Sequence, residues 1–374
     1  MVKVLNIVHT LNSSGVAAVI YNNYRYIDQS KIQFTIISQR GKEHGEKIDF
    51  FEKKFREIGV KIFFVPVKAE NLKGNICKTK EIMQSEKYDI VHIHMEEGAA
   101  TYVALAKFCG IKIRIVHAHL AYPNREILKQ IRNVFLKMIV NLFVTHRFAC
   151  GEFAAESMWG KKMIRKGKVT IINNAVDSDK FDFDRNIREK VRKDLNIDNS
   201  FVIGNVARMT YQKNHKFLIS LFNNIVEKCD NSILILVGTG VLIDEVKNQI
   251  KVLGLEKYVL LLGERDDIAE LMQAFDVLLL PSLFEGFPIV GIEAQAASLP
   301  CVFSNKITKL VNITNKCDFI DLNESLEEWS YAVIKYRNSS ERVSVKNEIV
   351  QSGYDLKMEA KKLEWKYIEL LRNE

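Results

Sequence analysis

The chain is predicted to fold as two α/β domains in tandem, each a doubly wound parallel sheet covered by helices on both faces. Three observations predict this. Short apolar, β-branched runs alternate with longer amphipathic stretches along the whole chain. Most of those runs are apolar on both faces, as buried parallel strands are. And 374 residues are too many for one ordinary domain but suit two. In the first half the strand candidates are Val4–His9, Phe34–Ser38, Lys61–Val65, Ile90–Ile93, Ile113–His117, Phe148–Cys150 and Val169–Ile172. Each is too short for a helix. The acidic stretch Asp177–Asp184 reads as a linker. Val202–Ala207, Ile233–Val237, Val259–Leu262, Val277–Leu280 and Cys301–Phe303 then repeat the scheme. The expected division is 1–178, 179–355 and a terminal helix, 356–374, packing back toward the N-terminal domain. That helix has Leu363, Tyr367, Leu370 and Leu371 at helical spacing.

Composition narrows the class. Apolar residues make up 47% and charged residues 27%, normal for a soluble globular chain. The six cysteines are far apart, without metal-ligand or redox spacing, and fit buried free thiols in a reducing compartment. The N-terminal MVKVLNIVHTLN reads as a first strand and not as a signal peptide, and no run is long enough to span a bilayer. A cytoplasmic location follows as the expectation. The net charge of +8 is unevenly placed: residues 1–185 hold 30 Lys+Arg against 19 Asp+Glu, the remainder 24 against 27. A basic half implies an anionic partner. No nucleic-acid motif is present, so nucleic acid is not expected, whereas an anionic membrane surface fits.

In doubly wound sheets ligands bind beyond the C-terminal strand ends, so segments directly after strands carry the chemistry. After Val277–Leu280 comes Pro281-Ser282-Leu283-Phe284-Glu285-Gly286-Phe287-Pro288-Ile289-Val290-Gly291-Ile292-Glu293-Ala294. A Gly/Pro turn leads into a helix-forming run, Ile292–Ala297, whose free N–H groups can bind phosphate. Pro288 has no N–H, so Phe287, Ile289 and Val290 are the expected donors. Glu285 before the turn and Glu293 in the expected first helical turn could accept from vicinal hydroxyls. They could equally be a loop carboxylate and a helix-dipole residue. After Val202–Ala207, Arg208 and Lys213 would neutralise a diphosphate, or be ordinary loop cations. The loop Thr10–Ala17, with Ser14, Gly15 and Val16, is small enough for close approach to a phosphate but lacks a dinucleotide or P-loop spacing.

Two histidine pairs, His92/His94 and His117/His119, stand at strand ends. Alternate spacing puts each pair on one face. No carboxylate or cysteine at matching spacing completes a metal set, so no metal is expected and substrate binding or acid–base work is the better reading. His119 lies furthest out, before Ala121-Tyr122-Pro123. Finally, residues 125–146 set Arg125, Lys129, Arg132 and Lys137 among Ile127, Ile131, Val134, Phe135, Met138, Ile139 and Leu142. This is an amphipathic helix that would suit an anionic bilayer, or pack on its own sheet.

Together and in this order, these segments resemble the retaining glycosyltransferases of family 4. The residues are the E-x7-E element Glu285…Glu293, the pair Arg208 and Lys213, the loop Ser14-Gly15-Val16, and the run Leu299–Asn305 with Ile307-Thr308. The last run is similar to bacterial capsular and exopolysaccharide enzymes. The resemblance implies the GT-B fold, two facing Rossmann-like domains with a cleft between them. It further implies that Glu293 binds ribose hydroxyls, that Glu285 holds and orients the donor sugar, and that Gly286, Phe287, Ile289 and Val290 hold sugar and phosphates. Arg208 and Lys213 would stabilise the leaving diphosphate, backbone near Arg265 would meet the base, Gly15 and Val16 would approach the donor phosphate, and His119 would lie beside the sugar. Pro288 and Ser298 depart from the family, which often has Gly at both places.

The function implied is transfer of a hexose or N-acetylhexosamine from a nucleoside-diphosphate sugar, UDP by expectation, to a saccharide acceptor. The acceptor is expected to be lipid-linked, the setting cell-surface polysaccharide synthesis, and no metal cofactor is required. The rivals are a sugar-nucleotide epimerase of the same fold and a non-catalytic partner subunit.

Overall fold

The computed structural model describes residues 1–12, 15–45, 47–119, 127–285, 287–338 and 342–373, with the side chains of 127–129 and 338 left aside. The chain divides into two compact units, Met1–Ala175 with Leu356–Glu374, and Val176–Asp355. In the first unit seven strands form one sheet: β1 (Val2–Val8), β2 (Ile32–Arg40), β3 (Lys61–Pro66), β4 (Ile90–Ile93), β5 (Ile113–Ala118), β6 (His146–Ala149) and β7 (Val169–Ile171). Their order is β3-β2-β1-β4-β5-β6-β7, and every pairing is parallel. In the second unit β8 (Phe201–Val206), β9 (Ser232–Val237), β10 (Val259–Gly263), β11 (Val277–Leu280), β12 (Cys301–Ser304) and β13 (Cys317–Ile320) follow the order β10-β9-β8-β11-β12-β13, again all parallel. Both are the Rossmann order, in which the winding direction reverses between the first and fourth strands of the sheet.

The period of two in each strand builds the core on both faces of each sheet. Leu5 and Ile7 of β1 join the apolar cluster on one face, and Val4 and Val8 that on the other. In β11, Leu278 and Leu280 face one cluster while Val277 and Leu279 face the other.

Four expectations need correcting. β13 went unread because it is a half-buried edge strand with Asp318 in its middle. The stretch read as a linker contains a short helix, Ser178–Phe181, capped by the Asp177 carboxylate, with Ser178 and Phe181 buried. The helix after β11 starts at Ile289, three residues earlier than the expected start. The cysteines are all free, but only Cys150, Cys229 and Cys301 are buried, and Cys77 is exposed.

The terminal helix, Leu356–Arg372, belongs to the first unit, where Ala360, Leu363, Tyr367 and Leu370 complete one face of its core. Its carboxylates cap loops: Glu359 accepts from the Asn173 amide at 2.8 Å, and Glu364 from the Asp28 amide at 2.9 Å. Tyr367, with no exposed surface, is the largest side chain the helix buries. Tyr367→Ala is therefore expected to destabilise the first unit by about 3–5 kcal/mol, read as an earlier unfolding transition for that unit in denaturant titration.

Candidate active site

In the second unit the winding reverses between β8 and β11, so the loops leaving these two strands lie side by side. After β8, Arg208 is exposed, and the Met209 amide donates to Thr239 O at 2.9 Å. A short turn, Tyr211–Lys213, leads through left-handed Asn214 (φ 57°) into the helix His215–Lys228. Three hydrogen bonds lace this loop to the one after β11. Leu283 N donates to Gln212 O (2.8 Å), Gln212 Nε2 to Phe284 O (3.0 Å), and Asn214 Nδ2 to Pro281 O (3.1 Å). The result brings Lys213 Nζ against Glu285 Oε1 as an ion pair with side chains only 17% and 8% exposed. Ser282 Oγ donates to the same carboxylate oxygen at 3.2 Å.

The helix Ile289–Ala296 begins beside this pair in sequence, with Pro288 as its N-cap and no side chain capping it. Ile289 and Val290 supply its first N–H groups, which have no partner within the helix. Glu293 is the helix's fifth residue and so stands in the second turn, not the first. That weakens the helix-dipole account of it, since the dipole acts within the first turn. Glu293 is half-buried, and burial pushes its carboxyl up to about 7, with Lys180 pulling the other way. The ring of Phe287 stacks on Tyr354 at 5.1 Å, so its side chain is occupied in packing. Arg265, after β10, is exposed and donates through Nε to Asp267 Oδ1 at 2.8 Å.

The other expected residues lie in the first unit. Gly15 opens the helix Gly15–Tyr26, followed by Val16, and a Cβ built on Gly15 meets nothing within 4 Å among the described residues. Ser14, Ala121-Tyr122-Pro123, Arg125, Gly286 and the side chain of Lys129 lie outside the described residues. The two histidine pairs, at the ends of neighbouring β4 and β5, come together as one stack, with ring centroids 4.1 Å apart for His92/His94 and 4.2 Å for His117/His119. Hydrogen bonds link His92 Nδ1 to Tyr367 Oη (2.6 Å) and His92 Nε2 to His117 Nδ1 (3.2 Å). Others link His94 Nδ1 to His119 Nε2 (3.0 Å) and His94 Nε2 to Asn6 Oδ1 (3.1 Å). The ring atoms of His92, His94 and His117 fall within 4.8 Å of one another, near enough to share an ion, but both nitrogens of His92 and of His94 are already hydrogen-bonded. Burial and the neighbouring rings push His92, His94 and His117 well below the usual imidazole range, and burial takes His119 down to about 3. The tetrad is neutral at pH 7.

Sequence reasoning missed Ser282, His215 and the turn Gly238-Thr239-Gly240 after β9. A Cβ on Gly238 would lie 2.2 Å from Ala207 O, and one on Gly240 2.4 Å from Met209 O, so both glycines let this turn lie against the Arg208 loop. Gly-x-Gly directly after an apolar strand was a visible signal. Among the described residues, buried His215 has no partner for either ring nitrogen, and burial with Lys213 nearby pushes it down to about 4. Nothing in the sequence marks it.

Two Rossmann-like domains of this kind define the GT-B class of α/β protein. The chain belongs to the glycosyltransferases. Residues 187–320 match the family described as Glycosyl transferases group 1, and residues 13–180 match Glycosyltransferase Family 4. It is 28% identical to a Bacillus subtilis protein named as glycosyltransferase EpsF, over 94% of this chain and 93% of that one. It is 27% identical to the UDP-Gal:α-D-GlcNAc-diphosphoundecaprenol α-1,3-galactosyltransferase of Escherichia coli, over 96% and 95%. The capsular polysaccharide biosynthesis glycosyltransferase CapH of Staphylococcus aureus is 23% identical over 98% and 99%. Among solved structures, Anabaena HepE in complex with UDP-glucose superposes with a TM-score of 0.78 at 18% identity, each chain fully covered. WaaG, a glycosyltransferase involved in lipopolysaccharide biosynthesis, gives 0.70 at 15%, over 96% and 98%. These two likenesses are of fold.

The titrations of the two units run in opposite directions. The tetrad's pKa values are lower folded than unfolded, so its stability contribution is full above about pH 6.5 and is lost as pH falls below it. Denaturant titrations of the first unit from pH 7.5 to 5.5 should show falling stability, with a smaller slope in His92→Gln. Glu293 is raised on folding, so the second unit should lose stability as pH climbs from about 4.5 to about 7 and then level off. Glu293→Gln should flatten that limb, and an unchanged pH profile would show the carboxyl to be solvated.

Proposed function

We propose that the protein is a retaining hexosyltransferase that moves a hexose or N-acetylhexosamine from a UDP-sugar to a lipid-linked saccharide, in the synthesis of a cell-surface polysaccharide. The observation that carries the donor site is the Lys213–Glu285 pair at the β8/β11 reversal, followed by a helix start without a side-chain cap. In this reading Glu293 accepts from the ribose hydroxyls, and Glu285 from hydroxyls of the sugar. The N–H groups of Ile289 and Val290, with backbone at Gly286 and Phe287, hold sugar and phosphate. Backbone near Arg265 meets the base. Gly15 and Val16 approach the donor phosphate, and His119 lies beside the sugar. The UDP donor and undecaprenyl-linked acceptor are those of the Escherichia coli relative's name, and a second relative, from Campylobacter jejuni, also has a diphospho-undecaprenol acceptor in its name.

In the reaction the bond from the anomeric carbon to the phosphate oxygen breaks while the bond to the acceptor oxygen forms on the same face. The acceptor's proton passes to the departing phosphate, and UDP leaves. Negative charge grows on the diphosphate, and Arg208 and Lys213 stabilise it there, which is electrostatic catalysis without a metal ion. A lipid-linked acceptor brings the work to the inner leaflet, where the basic first half meets anionic headgroups. Among the described residues no helix is long and apolar enough to cross a membrane.

Nucleotide-sugar screening should raise the melting temperature for one donor selectively. Arg208→Ala should lower kcat by about a hundredfold or more without loss of folding, because Arg208 is exposed; normal turnover would remove it from the mechanism. Gly15→Leu should fold normally yet impair transfer, and full activity would mean nothing approaches that loop. Transfer should persist in excess EDTA.

A further inference from the structure

Neutral imidazoles joined by hydrogen bonds must agree on which nitrogen carries each proton. The histidine tetrad holds two such chains, and only one of them has a fixed end. The first runs from Tyr367 Oη to His92 Nδ1 (2.6 Å) and from His92 Nε2 to His117 Nδ1 (3.2 Å). It ends at His117 Nε2, buried and without a partner among the described residues. A hydroxyl can donate or accept, so Tyr367 lets this chain run either way. The second runs from Asn6 Oδ1 to His94 Nε2 (3.1 Å) and from His94 Nδ1 to His119 Nε2 (3.0 Å). An amide oxygen only accepts.

That oxygen fixes every proton beyond it. His94 Nε2 must carry the proton it donates to Asn6 Oδ1. A neutral ring has one N–H, so His94 Nδ1 is bare and accepts from His119 Nε2–H. His119 Nδ1 is then bare in turn. Turning the Asn6 amide end for end would reverse each proton and make Nδ1 a donor, so one buried amide decides the tautomer. Asn6 lies in β1 with no exposed surface, and His94 is only 7% exposed, so water has little access to the chain.

His119 is where this order reaches a ligand. It is the least buried of the four rings and the first residue after β5, at the strand end where doubly wound sheets meet their ligands. Its backbone is held on both sides: the amide donates to Glu96 Oε1 (2.9 Å) and the carbonyl accepts from Cys150 Sγ (3.5 Å). Its Nδ1 is buried and has no partner among the described residues. A bare nitrogen there is satisfied by a hydroxyl and repelled by a phosphate oxygen, which has only lone pairs to offer.

We propose that Asn6 and His94 are positioning residues for the donor sugar, holding His119 in the Nε2–H tautomer so that Nδ1 accepts from a sugar hydroxyl. The proposal deepens the UDP-sugar reading and rests on it for the ligand. The order of protons is measured on the free chain, so the two fail separately.

The test is long-range nitrogen–proton correlation NMR on the full chain carrying nitrogen-15 histidine, with the His119 signals assigned by their loss in His119→Gln. Without ligand, His119 should show a protonated Nε2 and a bare Nδ1. Asn6→Leu should let the Nδ1–H form appear, as should His94→Phe, a second variant that keeps a ring in the stack. Both should raise the Kd for UDP-galactose by about tenfold and leave the Kd for UDP, which lacks the sugar, unchanged. Wild-type His119 protonated at Nδ1 overturns the proposal, and so do variants with the wild-type tautomer and wild-type Kd for UDP-galactose. Equal weakening of UDP and UDP-galactose also overturns it, since that marks structural damage alone. The expected tautomer in a chain that binds no UDP-sugar would instead overturn the donor reading.

Discussion

A parallel strand must send the chain back over one face of its sheet before the next strand begins, and both sheets here reverse that direction once. At the reversal two neighbouring strands send their crossovers opposite ways, leaving their ends uncovered. The position of nearly every residue with a proposed role in the second unit follows from that constraint. Lys213 and Glu285 are 72 positions apart, yet they meet because one follows β8, the other follows β11, and those strands pair. The first unit repeats the geometry, with the Gly15 loop after β1 and the histidines at the ends of β4 and β5. The sheets must be apolar on both faces to be covered by helices, so polar side chains gather at these strand ends.

That gathering has an energetic cost, which the two units meet differently. In the first unit four imidazoles are taken out of water as neutral rings, and a chain from Tyr367 and Asn6 satisfies most of their nitrogens. In the second, Lys213 and Glu285 form an ion pair and satisfy each other. Removing one partner of such a pair leaves the other's charge buried and uncompensated. Loss of Lys213 therefore mixes a folding defect with any catalytic one, whereas substituting exposed Arg208 leaves the fold undisturbed and tests its proposed role directly. Glu293 has neither solution: half-buried, with only Lys180 opposing its desolvation, it shifts toward the neutral acid. A ligand offering hydroxyl donors would favour the carboxylate.

Much of this was legible before the fold was known, and the failures have physical causes. Twelve strands could be read because each is an apolar run bounded by polar turns. β13 could not, because an edge strand need satisfy only one neighbour and tolerates Asp318. The helix after β11 was started late because Pro288 looked like part of the turn, although a proline with φ −73° serves well at the boundary. The histidine pairs were visible singly, but their convergence depends on β4 and β5 being neighbours. The apolar positions of the 127–143 helix were also visible. Periodicity gives their angles around the helix and says nothing about which arc the domain covers.

The departures and the glycines show which local choices serve the fold. Ser298, where the resembling family often has glycine, takes a left-handed backbone (φ 54°) in which a side chain is strained. Its hydroxyl donates to Val343 O, offsetting part of that strain with a bond glycine lacks. Gly204 is the reverse case: a Cβ there would fall 2.0 Å from the Phe275 ring, so packing alone demands the glycine. Gly15 is neither strained nor crowded. Among the described residues nothing in the fold requires its smallness. A glycine that the fold does not need, at the strand end where a sheet reverses, leaves room there for close approach of a ligand.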